Sequence, residues 1–538
     1  MKVFSCPAAK AALLIFVLAV SGFAQGSGTS ASRKNTGAKT QARSNVSDTF
    51  QLPRVPIEEF KLDNGLRVIL SRDTAVPVVS VAVYYNVGSR NERKGRTGFA
   101  HLFEHMMYQG SENVGKGDYM KAVQNAGGTL NGTTSTERTN YFVTLPSNQL
   151  PLALWLESDR MRSLKVTQEN LDNQREVVKE EKRFRIDNQP YVPAYLRFTE
   201  LVFQNFANAH SSIGSMEDLD AANLEDVKEF FRIYYAPNNA VLTIVGDFDV
   251  KEARALVEKY FKTIPRQPTP PPIDVAEPAE VTVREEVFED RFAPVPAFIL
   301  AWKIPARRTP DYYALSLGGS LLYDGDSSRL YQKLVKGEES VVQIQGGTDE
   351  RRGPSAFYIL TIPKPGNDPK KIRETVMSEI KRLAADGPTP EEMEKLHNSI
   401  RNDAVRSRQS SLFRAQSLAE YALYDGDPNL FNTELERYLS ITPAQIKDAV
   451  SRLLVTDNRV LMEIIPAKKA PPASPAATGE PKQPGAPPPQ VEPKPKPETT
   501  QPPKSETPGK PAEQNPAQPQ QPTDAPQQTE PGEKPKRP

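Results

Sequence analysis

The run His101-Leu102-Phe103-Glu104-His105 places two histidines four residues apart, with a glutamate beside the second. Residues four apart on a helix lie one turn apart on the same face, so His101 and His105 can bind one metal ion. This His-x-x-Glu-His order is the inverse of a motif found on helices of zinc hydrolases. A catalytic zinc ion takes three protein ligands and leaves a fourth position for water, whose pKa falls to about 7. Glu104 is therefore the candidate general base, taking a proton from that water and later giving it to the leaving amine.

A solvated surface helix is the alternative explanation for two histidines at this spacing. The whole chain has only 4 histidines, and half of them fall within this one helical turn. Chance rarely concentrates so scarce a residue, so the composition favours a metal site. We therefore predict a zinc metallopeptidase.

The third metal ligand has to come from another part of the chain, because two histidines alone hold zinc poorly. The segment Glu169–Arg183 is predicted to be a highly charged helix with little apolar surface. Acidic residues on such a helix usually face solvent. Glu176, Glu180 and Glu181 are nevertheless candidate ligands, and their spacing alone does not choose between them.

Two segments, Gly98–Gly110 and Arg175–Arg183, resemble the pitrilysin/insulinase/mitochondrial-processing-peptidase family of inverzincin zinc metallopeptidases. In that family the distant ligand is a glutamate some seventy-odd residues beyond the second histidine. The resemblance implies that this ligand is Glu181, so that His101, His105 and Glu181 hold one Zn²⁺ per chain. Several members carry a further functional glutamate seven residues before the ligand. Here that position is Gln174, so that role does not carry over.

The segment Gly127–Thr134 resembles the family's edge strand near the zinc. Such a strand binds an extended peptide as an added strand, through its backbone. The resemblance implies that Asn131 contacts the substrate. An ordinary hairpin arm with turn glycines is the alternative interpretation. Gly132 also stands where the family usually has alanine.

The chain contains an internal duplication. Val76–Val81 matches Val295–Leu300, and Asn239–Leu242 matches Asn458–Leu461 with the same offset. The same offset also separates two predicted helix N-caps, Asn223 and Thr442, and the helix start signal recurs at Thr389. We therefore predict an α+β protein with two homologous α/β sandwich-like domains, residues 53–265 and 284–466, joined by a proline-rich linker, residues 266–283.

The second domain has no histidine at Gly318–Tyr323, where the motif helix would recur, so only the first domain is expected to bind zinc. In the family a later domain commonly supplies an arginine and a tyrosine, seven residues apart, that stabilise the substrate carbonyl and its oxyanion. Alignment puts Val335 and Val342 at these positions. The resemblance therefore implies a heterodimer in which a homologous subunit supplies the pair. A homodimer in which Arg329 and Tyr331 replace the pair is the alternative.

The N-terminus has Lys2 and Lys10, then the apolar run Ala11–Val20, then small residues before Gln25. This pattern predicts a secretory signal peptide, residues 1–24, and a periplasmic or secreted protein. An uncleaved anchor is the alternative, but the apolar run is shorter than the roughly 20 residues that a membrane-spanning helix needs. Once the signal is cleaved we expect no membrane span.

Composition bounds the rest of the chain. Residues 25–52 are predicted to be a flexible leader, and the proline-rich residues 467–538 a disordered tail. The net charge is +1 with both signs mixed along the chain, so nothing indicates a nucleic-acid partner. The one cysteine, Cys6, lies in the predicted signal peptide, so no disulfide can stabilise the mature chain.

These observations predict an exported zinc metalloendopeptidase that hydrolyses peptides or unfolded polypeptides. The alternative is a non-catalytic, zinc-containing subunit that binds peptides within a periplasmic complex. The presence of Glu104 favours the enzyme, because inactive family members typically lose the base or a ligand.

Overall fold

The computed structural model of the chain describes residues 52–282 and 284–468. The predicted signal peptide, most of the leader and nearly all of the tail lie outside these residues. The strands are β1 Glu58–Lys61, β2 Arg67–Arg72, β3 Val78–Tyr85, β4 Thr129–Thr134, β5 Thr139–Pro146, β6 Ala240–Gly246, β7 Glu285–Asp290, β8 Ala297–Ile304, β9 Val341–Asp349, β10 Ser355–Pro363 and β11 Val460–Pro466. The described residues contain no helix long and apolar enough to cross a bilayer.

Helices cover the faces of the sheets. In the first half of the chain they are α1 Phe99–Met106, α2 Asp118–Asn125, α3 Leu150–Ser163, α4 Gln168–Lys182, α5 Val192–Val202, α6 Phe206–Ala209, α7 Met216–Asp220, α8 Leu224–Tyr234 and α9 Val250–Phe261. In the second half they are α10 Pro310–Tyr323, α11 Pro369–Asp386, α12 Pro390–Arg408, α13 Ser411–Asp425, α14 Leu430–Leu439 and α15 Pro443–Leu453.

The two sheets have matching topology. The first has the strand order β1-β2-β6-β3-β5-β4, and the second has β7-β11-β8-β10-β9. Apart from β1, each strand of the first sheet has a counterpart in the same position of the second. In both sheets one pair is parallel, β2 with β6 and β7 with β11. The predicted α+β fold with two related units is therefore confirmed, whereas the boundaries 53–265 and 284–466 remain predictions.

The predicted helix starts are present. Asn223 caps α8 by accepting a hydrogen bond from the backbone N–H of Asp226. Thr389 and Thr442 each form a capping box, in which side chain and backbone satisfy each other's hydrogen bonds. Because α8 and α15 begin at equivalent positions, the duplication includes its closing helices.

Each half of the chain covers the sheet of the other. Helix α13 of the second half packs its Leu418 against Ile69, Ala82 and Tyr84 of the first sheet. Helix α5 of the first half packs its Phe198 against the apolar face of the second sheet that contains Ile299. Strand β3 is buried along almost its whole length because this exchange covers both of its faces. The exchange was not predicted from the sequence.

Candidate metal centre

The motif helix α1 is held at both its N-terminus and its apolar face. Gly98, with φ 86°, precedes the helix, and the buried Glu92 carboxylate accepts hydrogen bonds from the N–H groups of Gly98 and Ala100, at 2.9 and 2.8 Å. Leu102 and Phe103 are fully buried in the first core. The remaining face of the helix therefore presents the two histidines and Glu104 together.

The predicted ligands converge. Glu181 Oε2 lies 3.1 Å from His105 Nε2 and 3.7 Å from His101 Nε2. One ligand atom from each residue lies within 4.8 Å of the others, and among the described residues this is the one such group of His, Cys, Asp and Glu. Tetrahedral zinc with bonds of about 2.1 Å has ligand atoms about 3.4 Å apart, so the three side chains fit this ion.

The other two candidate glutamates point away. Glu176 is 65% exposed and pairs with Lys179, while Glu180 is 73% exposed and pairs with Arg183 at 3.0 Å. Gln174 is buried, and its amide donates a hydrogen bond to Asn173 Oδ1 at 2.7 Å. Of the three glutamates that the spacing left open, Glu181 is the one that meets the histidines.

Arg185 binds one oxygen of the Glu181 carboxylate and leaves the other for the histidines. Its Nη1 lies 2.7 Å from Glu181 Oε1, which leaves Oε2 directed at the histidines. Burial alone would raise the pKa of Glu181, but the hydrogen bond from His105, His101 and the Arg185 charge lower it to about 2. Glu181 is therefore ionised at neutral pH, as a metal ligand must be.

The histidines are also suited to metal binding. Burial, reinforced by the neighbouring His105, lowers the pKa of His101 to about 4. The neutral imidazole is the form that binds metal ions. The two rings lie edge to face with centroids 4.8 Å apart.

Glu104 lies beside this cluster and is held by one hydroxyl. Thr134 Oγ1 donates a hydrogen bond to Glu104 Oε2 at 2.7 Å. Burial raises the pKa of Glu104, and the Thr134 hydrogen bond opposes this change. A carboxylate whose pKa is moved toward neutrality is a better match to general-base catalysis at neutral pH.

Thr134 ends strand β4, which forms one edge of the first sheet beside β5. Asn131 on this strand is exposed, and its Oδ1 accepts a hydrogen bond from the N–H of Gly132 at 2.9 Å. A Cβ atom added to Gly132 would lie only 3.1 Å from Glu104 Cγ. The edge strand and the candidate base are therefore in direct contact.

Comparison with known proteins relates the chain to a family. The family model described as Insulinase (Peptidase family M16) matches residues 67–206, and the model described as Peptidase M16 inactive domain matches residues 221–400. The zinc protease PqqE of Helicobacter pylori is 30% identical over 368 residues, which cover 68% of this chain and 83% of that protein. The chain belongs to the M16 peptidase family. The resemblance seen in the motif segments is thereby confirmed.

Other M16 relatives agree. An uncharacterized zinc protease of Mycobacterium leprae, ML0855, is 25% identical over 400 residues, covering 73% of this chain and 88% of that protein. The crystal structure of a protease from Helicobacter pylori superposes with a TM-score of 0.74 at 26% identity, covering 77% of this chain and all of that one. A peptidase M16 inactive domain from Pseudomonas fluorescens has the same fold, with a TM-score of 0.70 at 18% identity, over 78% of this chain and all of that one. The two relatives named zinc proteases support a zinc metallopeptidase family, and the Pseudomonas fluorescens domain supports the fold.

Val335 and Val342 occupy the two positions at which the M16 resemblance predicts an arginine and a tyrosine. Val335 lies in the helical turn Tyr331–Gly337, and Val342 is 57% exposed on the edge strand β9. Arg329, considered as a replacement, instead forms an ion pair with Glu392 at 2.7 Å.

Sequence reasoning missed three residues of this M16 site: Glu92, Thr134 and Arg185. Arg185 follows Glu181 by four residues, a spacing that favours ion pairs on a helix and could have identified it. Thr134 lies inside the edge-strand segment, but nothing in that segment shows that it faces Glu104. Glu92 has no local signal, because its role depends on a loop that folds back over the start of α1.

Proposed function

We propose that this chain is a zinc metalloendopeptidase that hydrolyses peptides or unfolded polypeptides. The convergence of His101, His105 and Glu181, with Glu104 beside them, is the observation that supports the proposal most strongly. These three ligands would hold one Zn²⁺. Zinc in such a site supplies a nucleophile at neutral pH, because it lowers the pKa of water to about 7.

Glu104 acts as the general base in this proposal. Thr134 occupies its Oε2, which leaves the second carboxylate oxygen available to take a proton from the attacking water. The same carboxyl group then gives the proton to the leaving amine. Burial favours this exchange because it raises the pKa of Glu104.

Strand β4 is the proposed substrate-binding element. A peptide that adds as a strand to the free edge of β4 is bound by backbone hydrogen bonds. The exposed Asn131 contacts the peptide at this edge. Since only an extended segment can add to a sheet in this way, the proposed substrates are peptides and unfolded polypeptides. Side-chain preference would then depend on pockets beyond the backbone contacts.

We also propose that a homologous subunit completes the site. Val335 and Val342 cannot stabilise an oxyanion, and Arg329 is engaged by Glu392. A second M16 subunit with the arginine and tyrosine would provide the electrostatic stabilisation that this chain lacks. We further propose that the heterodimer is exported to the periplasm or secreted, on the basis of the signal peptide expected in residues 1–24.

Glu104→Gln tests the enzyme proposal. The zinc-loaded chain is incubated with a quenched fluorescent peptide library, alone and with a homologous subunit that carries the arginine and tyrosine. We expect cleavage in the mixture, unchanged zinc content in Glu104→Gln and a loss of cleavage by at least about 10²-fold. Glu180→Gln, on the exposed side of α4, is the control and should cleave normally.

The remaining outcomes separate the alternatives. Cleavage by the chain alone would refute the partner requirement but keep the enzyme. Peptide binding without cleavage under both conditions would contradict the enzyme and favour the non-catalytic peptide-binding subunit.

A further inference from the structure

The second half of the chain contacts a buried carboxylate close to the candidate general base. Glu137 lies in the turn between β4 and β5 and is only 3% exposed. Its carboxylate accepts hydrogen bonds from the backbone N–H of Arg352, at 3.0 and 3.2 Å, and from Arg352 Nε at 3.3 Å. Arg352 belongs to the turn between β9 and β10. The two equivalent hairpins of the duplicated units are thus joined at their tips.

Arg352 makes further contacts that fix its side chain in this position. Its Nη2 donates to the Glu137 carbonyl oxygen at 3.3 Å and to Asn86 Oδ1 at 3.0 Å. Its guanidinium also lies 4.6 Å from the centre of the Tyr424 ring on α13. Arg90 of the first half forms a second ion pair with Glu137. Because Glu137 is almost fully buried, losing the Arg352 side chain would weaken the compensation of its charge and leave the carboxylate more dependent on Arg90.

Only two residues separate Glu137 from Thr134, and hydrogen bonds hold the backbone of this turn. Ser135 N donates to Arg138 O at 2.9 Å, and Arg138 Nη1 donates to Thr133 O at 2.9 Å. A displacement of Glu137 is therefore transmitted to the end of β4. Thr134 is the residue at that end, and it donates the hydrogen bond to Glu104.

We propose that Arg352 is a positioning residue for the general base: through Glu137 it fixes the β4–β5 hairpin, so that Thr134 holds Glu104 in its productive orientation. This inference rests on the proposed function. It gives the second half, which contributes no metal ligand from its described residues, a direct part in the first half's chemistry.

A double-mutant cycle tests the proposal in the full, zinc-loaded chain under the conditions in which the wild type cleaves. Thr134→Val removes the hydroxyl, and Arg352→Ala removes the side-chain contacts of the arginine while keeping its backbone N–H. We expect each to lower kcat about 10- to 100-fold, the usual effect of losing a residue that orients a catalytic group, without loss of zinc. Because both changes act through Glu104, the double variant should be little slower than Thr134→Val alone.

Two further variants make the result specific. Arg352→Lys keeps a positive charge near Glu137 and should restore part of the activity. Arg414→Ala is the matched control, because Arg414 is another arginine of the second half that forms an ion pair with an acid of the first half, Asp73, which lies outside the hairpin. It should lower stability but leave kcat unchanged. Multiplicative effects of Thr134→Val and Arg352→Ala, or an equal loss of kcat in Arg414→Ala, would overturn the proposal.

Hydrogen exchange separates this inference from the proposed function. Backbone amides of residues 129–146 should exchange faster in Arg352→Ala than in the wild type, and at the wild-type rate in Arg414→Ala. Unchanged exchange in Arg352→Ala would overturn the coupling even if the chain is an active peptidase. A wild type without Glu104-dependent cleavage would instead overturn the proposed function, and with it the catalytic consequence of the coupling.

Discussion

Glu181 Oε2 lies 3.1 Å from His105 Nε2, although the two residues come from different helices and the carboxylate of the preceding residue points to solvent. Successive residues on a helix are rotated by about 100°, and here that rotation directs Glu181 at the histidines and Glu180 at solvent. Arg185 then holds Glu181 Oε1 at 2.7 Å. The Glu181 carboxylate thus directs one oxygen at the candidate metal site and the other at Arg185, which orients it.

Glu181→Gln is expected to abolish stable zinc binding, because it removes the only carboxylate ligand of the group. Glu180→Gln is the matched control, since it changes the same chemistry one residue earlier on an exposed surface. Zinc content after gel filtration and competition with a chelator would measure the difference. Equal zinc retention by both variants would exclude Glu181 as a ligand.

Arg185→Ala is expected to weaken zinc binding about 10- to 100-fold, the usual effect of losing a residue that orients a metal ligand. The carboxylate would then rotate freely instead of keeping Oε2 directed at the histidines. Arg183→Ala provides the control, because Arg183 pairs with the exposed Glu180 at 3.0 Å. Chelator competition on both variants checks the effect, and equal zinc affinities would show that the Arg185 contact does not orient the ligand.

What the sequence could predict depended on distance along the chain. His101, Glu104 and His105 are within one helical turn, so their spacing alone indicated the metal site. Glu181 could be selected only by resemblance, because the packing of α4 against α1 decides which glutamate meets the histidines. The correspondence between strands of the two units was predictable, because the matching segments are separated by a constant offset along the sequence.

The contacts between the two halves could not be predicted from the sequence, and the reason is physical. Arg352 and Glu137 are each charged residues in a hairpin turn, where solvent exposure is the usual expectation. Only the folded arrangement of both sheets brings the turns together and buries Glu137. The packing of α5 and α13 on each other's sheets is equally unpredictable, since the sequence of an amphipathic helix does not indicate which sheet it will cover.

The buried pair of His210 and Glu92 should make stability depend on pH. Burial alone would lower the pKa of His210, but the hydrogen bond to Glu92 at 3.0 Å and the carboxylate charge raise it. A histidine whose pKa is raised on folding stabilises the protein below its unfolded pKa of about 6.5, and this contribution is lost as the pH rises through the folded value. The stability advantage of the wild type over His210→Gln should therefore be larger at pH 6 than at pH 8.

Unfolding by urea, in the presence of a chelator, would measure that difference. His397→Gln is a control of opposite sign, because burial, with help from Arg401, lowers the pKa of His397. His397 should therefore lower the free energy of unfolding at low pH, relative to His397→Gln. An advantage over His210→Gln that does not change between pH 6 and pH 8 would contradict the assigned direction.

Leu418→Ala should destabilise the first sheet even though Leu418 belongs to the second half. The side chain is fully buried against Ile69, Ala82 and Tyr84, so its loss leaves a cavity. Truncating a buried leucine costs about 2–5 kcal/mol of unfolding free energy. Val405→Ala, at a position 39% exposed, should change it by less than about 0.5 kcal/mol.

The same packing predicts that residues 52–265 do not fold alone. Without α13, the face of the first sheet formed by Ile69, Ala82 and Tyr84 would be exposed to water, and β3 would have one bare apolar side. Such a fragment should bind a hydrophobic dye and aggregate, and adding a peptide of residues 409–427 should reduce both effects. A monomeric fragment with a cooperative unfolding transition would show instead that the first half needs nothing from the second to fold.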